Sequence, residues 1–482
     1  MSTSPFKMAA RSPHSRPMLR LLAYAGAFIA IGLAGWIDST FGEPSVDQIL
    51  YHLRYAEGAA IRMGELFALT LFAEVFAFPL AFALLATLLH EVLARRWPAL
   101  ARHVLPAAVP LAVLAGLAAL LLQFSLFSYA AAHLDTDRFA ERFVDPHDVQ
   151  LHDAGPRRNL VLIYVESLEE GYGDARHFGR DLLAPLKQLG GSRLAALRQV
   201  PGTTWTIAGM VASQCGVPLK VYSELDVKRA DTGRSFLPGA TCLGDVLRSH
   251  GWRNVFLGGA PLSFAGKGRF LRDHGYAETY GRDEWERAGV RSDEMNEWGL
   301  YDSALFERAK NKLAALHAAG EPFNLTLLTL DTHNPGGFLS PYCRQRGART
   351  FADIVECTSV QVAQFVEFAN DHGYLADTTI VIVGDHLAAP NPVYEELQRT
   401  GERQLFNLVV SDRMPAPLRR VLVPFDLYPT LLELLGLRPD GGRLGLGISA
   451  FSEAPPLQPT LPLAALTASD GYRQLWRHEP SR

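Results

Sequence analysis

Residues Asn159–Val165 read NLVLIYV, a run of apolar side chains that is rich in β-branched residues and ends directly before Glu166. A strand without polar alternation is typical of a parallel sheet that is covered by helices on both faces. The same kind of run returns three more times along the chain, at 255–257, 325–330 and 379–383. These four runs therefore predict the strands of one central sheet.

Amphipathic helical segments lie between the apolar runs, for example at 300–319 and 359–370. Strands that alternate with helices predict an α/β fold with a central, mostly parallel sheet flanked by helices. In such sheets, ligands bind beyond the carboxyl ends of the strands. Four ionisable residues follow the apolar runs and are predicted to lie there: Glu166, His333, Asp385 and His386.

Glu166, Asp385 and His386 offer two carboxylates and an imidazole, a ligand set that suits a divalent cation such as Mn²⁺, Mg²⁺ or Zn²⁺. Each residue taken singly has a simpler explanation. An Asp-His pair after a strand can be a helix cap followed by a surface histidine, and Glu166 can belong to a capping box. The convergence of all of them at one sheet edge favours a metal site.

The stretch at 201–218, PGTTWTIAGMVASQCGVP, brings a glycine turn and three threonines to the start of a helix-like run of small residues. The first turn of a helix favours a bound phosphate, because its backbone N–H groups and its dipole point at the ligand. Thr206 is the preferred nucleophile, since the small residues Ala208 and Gly209 let the helix N-terminus approach a phosphate closely. Thr203 remains possible, whereas Thr204 is better explained as the helix cap.

Three long apolar runs precede residue 132, and each is long enough to cross a bilayer: 19–37, 66–89 and 104–130. Glu74 lies inside the second run and is expected to face another helix or a polar cavity. Arginines precede the first run and also separate the second from the third, while the loop at 38–58 is acidic on balance. The positive-inside rule then places the N-terminus in the cytoplasm and the residues after 132 outside the cell membrane.

These observations predict three regions: a membrane domain at 1–132, a polar linker at 133–158 and a catalytic domain at 159–482. The formal net charge is −4 and the chain has no basic patch, which argues against a nucleic-acid partner.

The four cysteines match neither a redox pair nor a zinc cluster, so they are buried thiols or two disulfides. An oxidising compartment favours disulfides, and proximity in sequence suggests Cys215 with Cys242 and Cys343 with Cys357.

Several stretches resemble, in colinear order, the alkaline phosphatase and sulfatase superfamily in its lipoteichoic-acid-synthase branch. The resemblance covers 159 to about 450 and rests on NLVLIYVESL, PGTTWTIAGMVASQCGVPL, FAGKGRFLRDHGY, LTLDTHNPGGF, TIVIVGDH and FDLYPTLLELLG. Of these, TIAGMVASQCG is far more specific than the isolated GDH. Within the branch, the chain is most similar to the membrane enzymes that add phosphoglycerol to osmoregulated periplasmic glucans.

The resemblance implies one divalent metal ion held by four residues: Glu166, Thr206, Asp385 and His386. Mn²⁺ is the expected ion, with Mg²⁺ and Zn²⁺ as alternatives. Thr206 matches the family's nucleophile better than Thr203 does. His333 resembles the histidine that binds the substrate phosphate, and Lys267 stands where relatives carry a basic residue that contacts the same group.

The resemblance therefore implies a metal-dependent phosphoglycerol transferase of the bacterial inner membrane, with its catalytic domain in the periplasm. It would move phosphoglycerol from phosphatidylglycerol to a periplasmic glucan and release diacylglycerol. The glucan enzymes are longer than this chain, which leaves the acceptor open. A phosphoethanolamine transferase acting on lipid A or another envelope glycan is the alternative. A sulfatase would need a CxPSR-like formylglycine motif, which this sequence lacks, and the full set of site residues argues against a non-catalytic factor.

Overall fold

A computed structural model describes residues 15–42, 44, 48–49, 65–124, 139–220, 235–455 and 470–477. The chain divides into two compact units. The first comprises Met1–Pro44 with Met63–Phe127, and the second comprises Ser45–Arg62 with Ser128–Arg482. The boundaries predicted for the membrane domain, linker and catalytic domain remain predictions.

The first unit is helical, and three of its stretches are long and apolar enough to cross a membrane: Pro17–Phe41, Ala68–Arg96 and Leu105–Gln123. The second is longer than the predicted run at 66–89, and residues 125–130 of the third run lie outside the described residues. The helices of this unit are α1 (Ser15–Phe41), α2 (Glu65–Leu71), a π-helix (Phe72–Ala77), α3 (Phe78–Arg96), α4 (Pro98–His103) and α5 (Leu105–Gln123). These three apolar helices confirm the predicted character of a membrane protein.

Glu74 lies in the π-helix, and its side chain is exposed. The expectation that this side chain faces another helix or a polar cavity stays a prediction. The backbone of Glu74 makes a helix contact, since a Cβ on Gly32 would lie 2.5 Å from the Glu74 carbonyl oxygen. A glycine at position 32 thus permits the close approach of α1.

The second unit is built on a six-stranded sheet with the order β5-β4-β6-β2-β7-β8. All neighbouring pairs are parallel except β7 and β8, which are antiparallel. The strands are β1 (Leu151–Asp153), β2 (Asn159–Val165), β3 (Ala196–Leu197), β4 (Arg253–Gly258), β5 (Tyr276–Tyr280), β6 (Phe323–Leu328), β7 (Thr378–Gly384), β8 (Asn407–Val410), β9 (Val421–Leu422), β10 (Leu437–Pro439), β11 (Arg443–Leu444) and β12 (Gly447–Ile448). The four predicted strands thus become β2, β4, β6 and β7.

Helices cover both faces of this sheet, as the uninterrupted apolar strands predict. The described helices of this unit are α6 (Ala175–Phe178), α7 (Ala184–Lys187), α8 (Thr206–Cys215), α9 (Leu243–Ser249), α10 (Lys267–Asp273), α11 (Arg282–Arg287), α12 (Asp302–Ala319), α13 (Pro341–Gln345), α14 (Phe351–Asp371), α15 (Tyr394–Arg399), α16 (Leu427–Leu434) and α17 (Asp470–Gln474). Strand β2 shows the arrangement: Leu160 and Leu162 join the core with α8 and α16, whereas Val161 and Ile163 join the core with α12 and α14. The predicted α/β class is confirmed.

Two predicted boundaries shift for local reasons. Strand β6 ends at Leu328 rather than at residue 330, because the Leu330 N–H donates to Asp302 Oδ1 at 2.6 Å instead of extending the ladder. Helix α14 begins at Phe351 rather than at 359, because Thr350 caps it by accepting the Asp353 N–H. Each shift follows from a side-chain hydrogen bond that hydrophobic periodicity does not reveal.

Residues within the predicted linker contribute to the second unit. Strand β1 pairs antiparallel with β10, and Phe139 is buried in the core that contains α8.

Both predicted disulfides are present, Cys215–Cys242 and Cys343–Cys357. The first of them joins the end of α8 to the residue that caps α9.

Candidate active site and metal centre

Glu166 is fixed in position where β2 ends. Its backbone N–H donates to Thr329 Oγ1 at 2.9 Å, and its carbonyl accepts the Thr332 hydroxyl at 2.7 Å. The next residue, Ser167, has a positive φ of 55°. This turn aims the Ser167 N–H at Asp385 Oδ1, at 2.8 Å, and its hydroxyl at Glu166 Oε1, at 2.7 Å. Ser167 therefore holds the two carboxylates together.

Glu166, Asp385 and His386 form a buried cluster at the carboxyl edge of the sheet. One ligand atom from each lies within 4.8 Å of the others. His386 Nε2 is 3.3 Å from Glu166 Oε1 and 3.6 Å from Asp385 Oδ2. Asp385 Oδ2 is buried and accepts no hydrogen bond from the described part of the chain. A buried carboxylate oxygen without a donor fits a site that binds a cation, so these residues suit the metal that the family implies.

The charged groups of the cluster shift one another's pKa values. Burial opposes ionisation of Glu166, yet the neighbouring His386 holds the pKa of this carboxyl down at about 2. Burial and the charge of Glu166 raise the pKa of Asp385 to about 7. Burial disfavours the charged imidazole, but the two carboxylates raise the pKa of His386 to about 10. The site therefore attracts positive charge, which a divalent cation would supply.

Thr206 is the first residue of α8, and its hydroxyl reaches the cluster. Thr206 Oγ1 lies 3.3 Å from Glu166 Oε2 and 3.4 Å from His386 Nε2. The helix approaches so closely because residue 209 is glycine: a Cβ at Gly209 would lie 2.0 Å from the Asp385 carbonyl oxygen. The structure thus brings together all four residues that the sequence proposes as metal ligands.

The other two threonines of the stretch are engaged elsewhere. Thr203 is buried and bonded to Val200: its hydroxyl donates to the Val200 carbonyl at 2.7 Å and accepts the Val200 N–H at 3.2 Å. Thr204 donates its hydroxyl to Gln48 Oε1 at 3.2 Å. The prediction that Thr204 caps α8 is wrong, because the N-cap residue is Trp205. Thr203 closes a turn instead of facing the cluster.

Lys267 and His333 interact electrostatically with carboxylates of the same cluster. Lys267 begins α10, and burial lowers the pKa of its ammonium to about 8 while Glu166 and Asp385 raise it. The charge of His333 contributes to the low pKa of Glu166. Its Nδ1 lies 2.6 Å from the Asn334 carbonyl oxygen, and its ring centroid lies 5.0 Å from that of Trp298.

Several residues that position this site are not predicted from the sequence. Gln199 Oε1 accepts the N–H of Leu387, the residue after His386, at 2.7 Å. A buried ion pair between Glu169 and Arg403 lies beside the same loop. Glu169 follows a strand end within a few residues, which is a weak signal, whereas Gln199 and Arg403 have no signal in the sequence. They become visible only when separate segments meet.

Cys242, Asp245 and His274 also lie within 4.8 Å of one another. The sulfur of Cys242 is bonded to Cys215, so this group does not offer a thiolate ligand. His274 Nδ1 instead pairs with Asp245 Oδ2 at 2.7 Å. We interpret this second group as structural.

A mostly parallel sheet that gathers two carboxylates, a histidine and a helix-terminal threonine at its carboxyl edge defines a domain of the sulfatase and alkaline phosphatase type. The Sulfatase family model matches residues 158–437, which is more than half of the chain. The protein therefore belongs to the Sulfatase family.

The sequence is also similar to curated proteins named phosphoglycerol transferase I, which confirms the predicted family resemblance. The protein of Shigella flexneri is 36% identical over 310 residues, covering 62% of this chain and 39% of the relative. The protein of Escherichia coli O127:H6 has the same identity and coverage. The chain thus spans well under half the length of these relatives. Among solved structures, the lipoteichoic acid synthase LtaP from Listeria monocytogenes is 14% identical, with a TM-score of 0.49 and coverage of 68% of this chain and 81% of that chain.

Proposed function

We propose that this protein transfers phosphoglycerol from phosphatidylglycerol to a periplasmic glucan, with Thr206 as the nucleophile. The observation that carries the proposal is the position of the Thr206 hydroxyl, 3.3 Å from Glu166 and 3.4 Å from His386. Relatives named phosphoglycerol transferase I support the donor group. The three apolar helices support a lipid substrate, because they tether the domain to the membrane that contains it.

Glu166, Thr206, Asp385 and His386 would hold one divalent cation, for which Mn²⁺ is our expectation and Mg²⁺ or Zn²⁺ the alternatives. When bound, such an ion lowers the pKa of a coordinated hydroxyl and neutralises charge on phosphoryl oxygens. Asp385 Oδ2 is buried and accepts no hydrogen bond from the residues that the structure describes, which supports this assignment.

The reaction proceeds by two displacements at phosphorus. The Thr206 oxygen attacks the phosphodiester of the lipid, the bond from phosphorus to the diacylglycerol oxygen breaks, and that oxygen leaves with a proton. Glycerophosphoryl-threonine remains. A glucan hydroxyl then attacks the same phosphorus, the bond to Thr206 breaks, and the threonine recovers its proton.

Lys267 and His333 would stabilise negative charge on the non-bridging phosphoryl oxygens. Lys267 is nearly fully buried, which strengthens its interaction with an anion compared with the same charge in water. His333 is held by the carbonyl of Asn334 at one ring nitrogen, so the other nitrogen is the one available to a substrate.

Vesicles that contain the full chain, a glucan acceptor and head-group-labelled lipids test this proposal. We expect label to move from phosphatidylglycerol to the glucan, and a glycerophosphoryl adduct to appear on the Thr203–Thr206 peptide by mass spectrometry. Transfer from labelled phosphatidylethanolamine instead would replace the proposal with phosphoethanolamine transfer to lipid A or another envelope glycan. Transfer without an adduct on this peptide would remove Thr206 as the nucleophile.

A further inference from the structure

Within the described part of the second unit, exposed large hydrophobic side chains occur in one place. Among its described residues, Leu418 and Val421 are the two that are more than a third exposed, at 57% and 38%. All the other exposed large hydrophobic side chains of the described chain belong to the apolar helices of the first unit or their connections. Single exposed apolar residues are ordinary on protein surfaces, but two in one short stretch of an otherwise well-covered domain are informative.

The stretch that carries them, the 413–421 segment, reads RMPAPLRRV. It combines its apolar residues with three arginines. Arg413 and Arg420 are exposed, and within the described residues Arg413 has only Asp412 as an ionic neighbour, at 3.7 Å. Arginines beside exposed apolar side chains are typical of surfaces that rest on anionic lipid, where the apolar groups enter the headgroup boundary and the cations contact phosphates.

The backbone at the end of the segment is fixed to the domain. The N–H groups of Leu418 and Arg419 both donate to the Ala450 carbonyl, at 2.9 and 3.3 Å. Val421 pairs with Ala196 where β9 meets β3. The exposed side chains are therefore presented on an ordered scaffold, so little conformational entropy is lost when a surface covers them.

We propose that the 413–421 segment is a membrane-contact site that places the second unit on an anionic bilayer. The inference deepens the proposed function, since a donor such as phosphatidylglycerol supplies the negative surface. Strand β3, the partner of β9, leads within nine residues to Thr206, a distance of at most about 30 Å of extended chain. Contact at this segment would keep the start of α8, which carries Thr206, near the lipid headgroups.

An introduced cysteine tests the contact, because all four native cysteines are in disulfides. We would label Leu418→Cys with an environment-sensitive fluorophore in the full chain, reconstituted in nanodiscs containing phosphatidylglycerol. The matched control is Glu307→Cys, an exposed position on α12. Helix α12 packs on one face of the sheet, and the core that contains Leu422, the neighbour of Val421, lies on the opposite face. We expect a blue shift and quenching by nitroxide-labelled lipids at 418 and neither at 307.

Arg413→Glu with Arg420→Glu should reduce the quenching at 418, since each arginine near an anionic surface contributes about fivefold in partitioning. Equal, solvent-like emission at 418 and 307 would overturn the proposal. A blue shift at 418 without quenching by the nitroxide-labelled lipids would also overturn the proposal and would identify a protein contact. Thr206→Ala in the same discs should leave the quenching unchanged, so a failure of the proposed chemistry is distinguishable from a failure of this contact.

Discussion

Arg403 and Glu169 form a buried, bidentate ion pair. Arg403 Nε lies 2.8 Å from Glu169 Oε2, and Arg403 Nη2 lies 2.5 Å from Glu169 Oε1. The same pair holds Ala388, whose N–H donates to Glu169 at 3.1 Å and whose carbonyl accepts from Arg403 at 2.7 Å. Glu169 lies three residues after Glu166, and Ala388 lies two residues after His386. The pair therefore ties together the two loops that carry the proposed metal ligands.

Arg403→Lys should weaken metal binding about 10- to 100-fold, because outer interactions that orient ligands typically contribute that much. Lysine keeps the charge but cannot make the two parallel hydrogen bonds. Titration calorimetry of Mn²⁺ into the metal-free full chain measures the effect. The control is Arg399→Lys, whose arginine makes an exposed pair with Glu395. Equal affinities in the two variants would show that the ion pair does not position the ligands.

Thr206→Ala should abolish transfer, with a loss on the order of 10⁴-fold or more, because no other hydroxyl of the stretch reaches the cluster. Thr203→Ala should retain measurable transfer. Its main effect should be on the free energy of unfolding, which should fall by about 1–2 kcal/mol with the loss of the Val200 hydrogen bonds. Transfer assays and thermal unfolding of both variants separate the two roles. Full activity in Thr206→Ala would exclude Thr206 as the nucleophile and make Thr203 the candidate for that role.

Hydrophobic pattern predicted most of this fold because both faces of the sheet are buried. Four apolar runs became four neighbouring strands, and each proposed ligand follows one of them or begins the helix at 206. Hydrophobic pattern did not predict the remaining strands of the sheet, since β5 contains the adjacent polar residues Glu278 and Thr279 and β8 is short and antiparallel. Pairs such as β1 with β10 join segments almost 300 residues apart, and no local period records them.

The residues proposed as metal ligands could be selected from the sequence, but the residues that support them could not. Glu166, Asp385 and His386 follow strands, and that position can be identified from sequence. Ser167 supports two carboxylates through a backbone with positive φ, a conformation that serine rarely adopts and that sequence does not indicate. Arg403 lies more than 230 residues from Glu169, so only the folded chain reveals their contact.

Gly209→Ala should destabilise the protein and impair transfer. The new Cβ would lie 2.0 Å from the Asp385 carbonyl oxygen, a backbone atom, so α8 must move away from the cluster. We expect a cost of about 1–3 kcal/mol from overpacking, which exceeds the gain of about 1 kcal/mol in helix propensity. The control is Gly336→Ala, where nothing lies within 4 Å of the new Cβ. Unchanged stability and metal affinity in Gly209→Ala would contradict the close approach of α8.

Removing the Cys215–Cys242 disulfide should lower the free energy of unfolding by about 3.5 kcal/mol, and removing Cys343–Cys357 by about 3 kcal/mol. The difference follows from the sequence separations of 27 and 14 residues, because the longer loop gains more entropy in the unfolded chain. Denaturant unfolding of the paired Cys→Ser variants measures both. A larger loss for the shorter loop would indicate that native contacts, and not loop entropy, dominate.

Transfer should decline as pH rises through about 8, because Lys267 loses its proton there and no longer offers a positive charge to the phosphoryl group. Stability should change in the opposite direction. The pKa of Lys267 in the folded protein lies below its ordinary value of 10.5, so its buried charge costs stability below pH 8, and this cost disappears between pH 8 and 10.5. Lys267→Arg should keep its charge and move the alkaline limb of the transfer profile upward. Profiles of rate and unfolding measured together test the assignment, because general unfolding would lower both at once. An alkaline limb that Lys267→Arg leaves in place would assign the titration to another group.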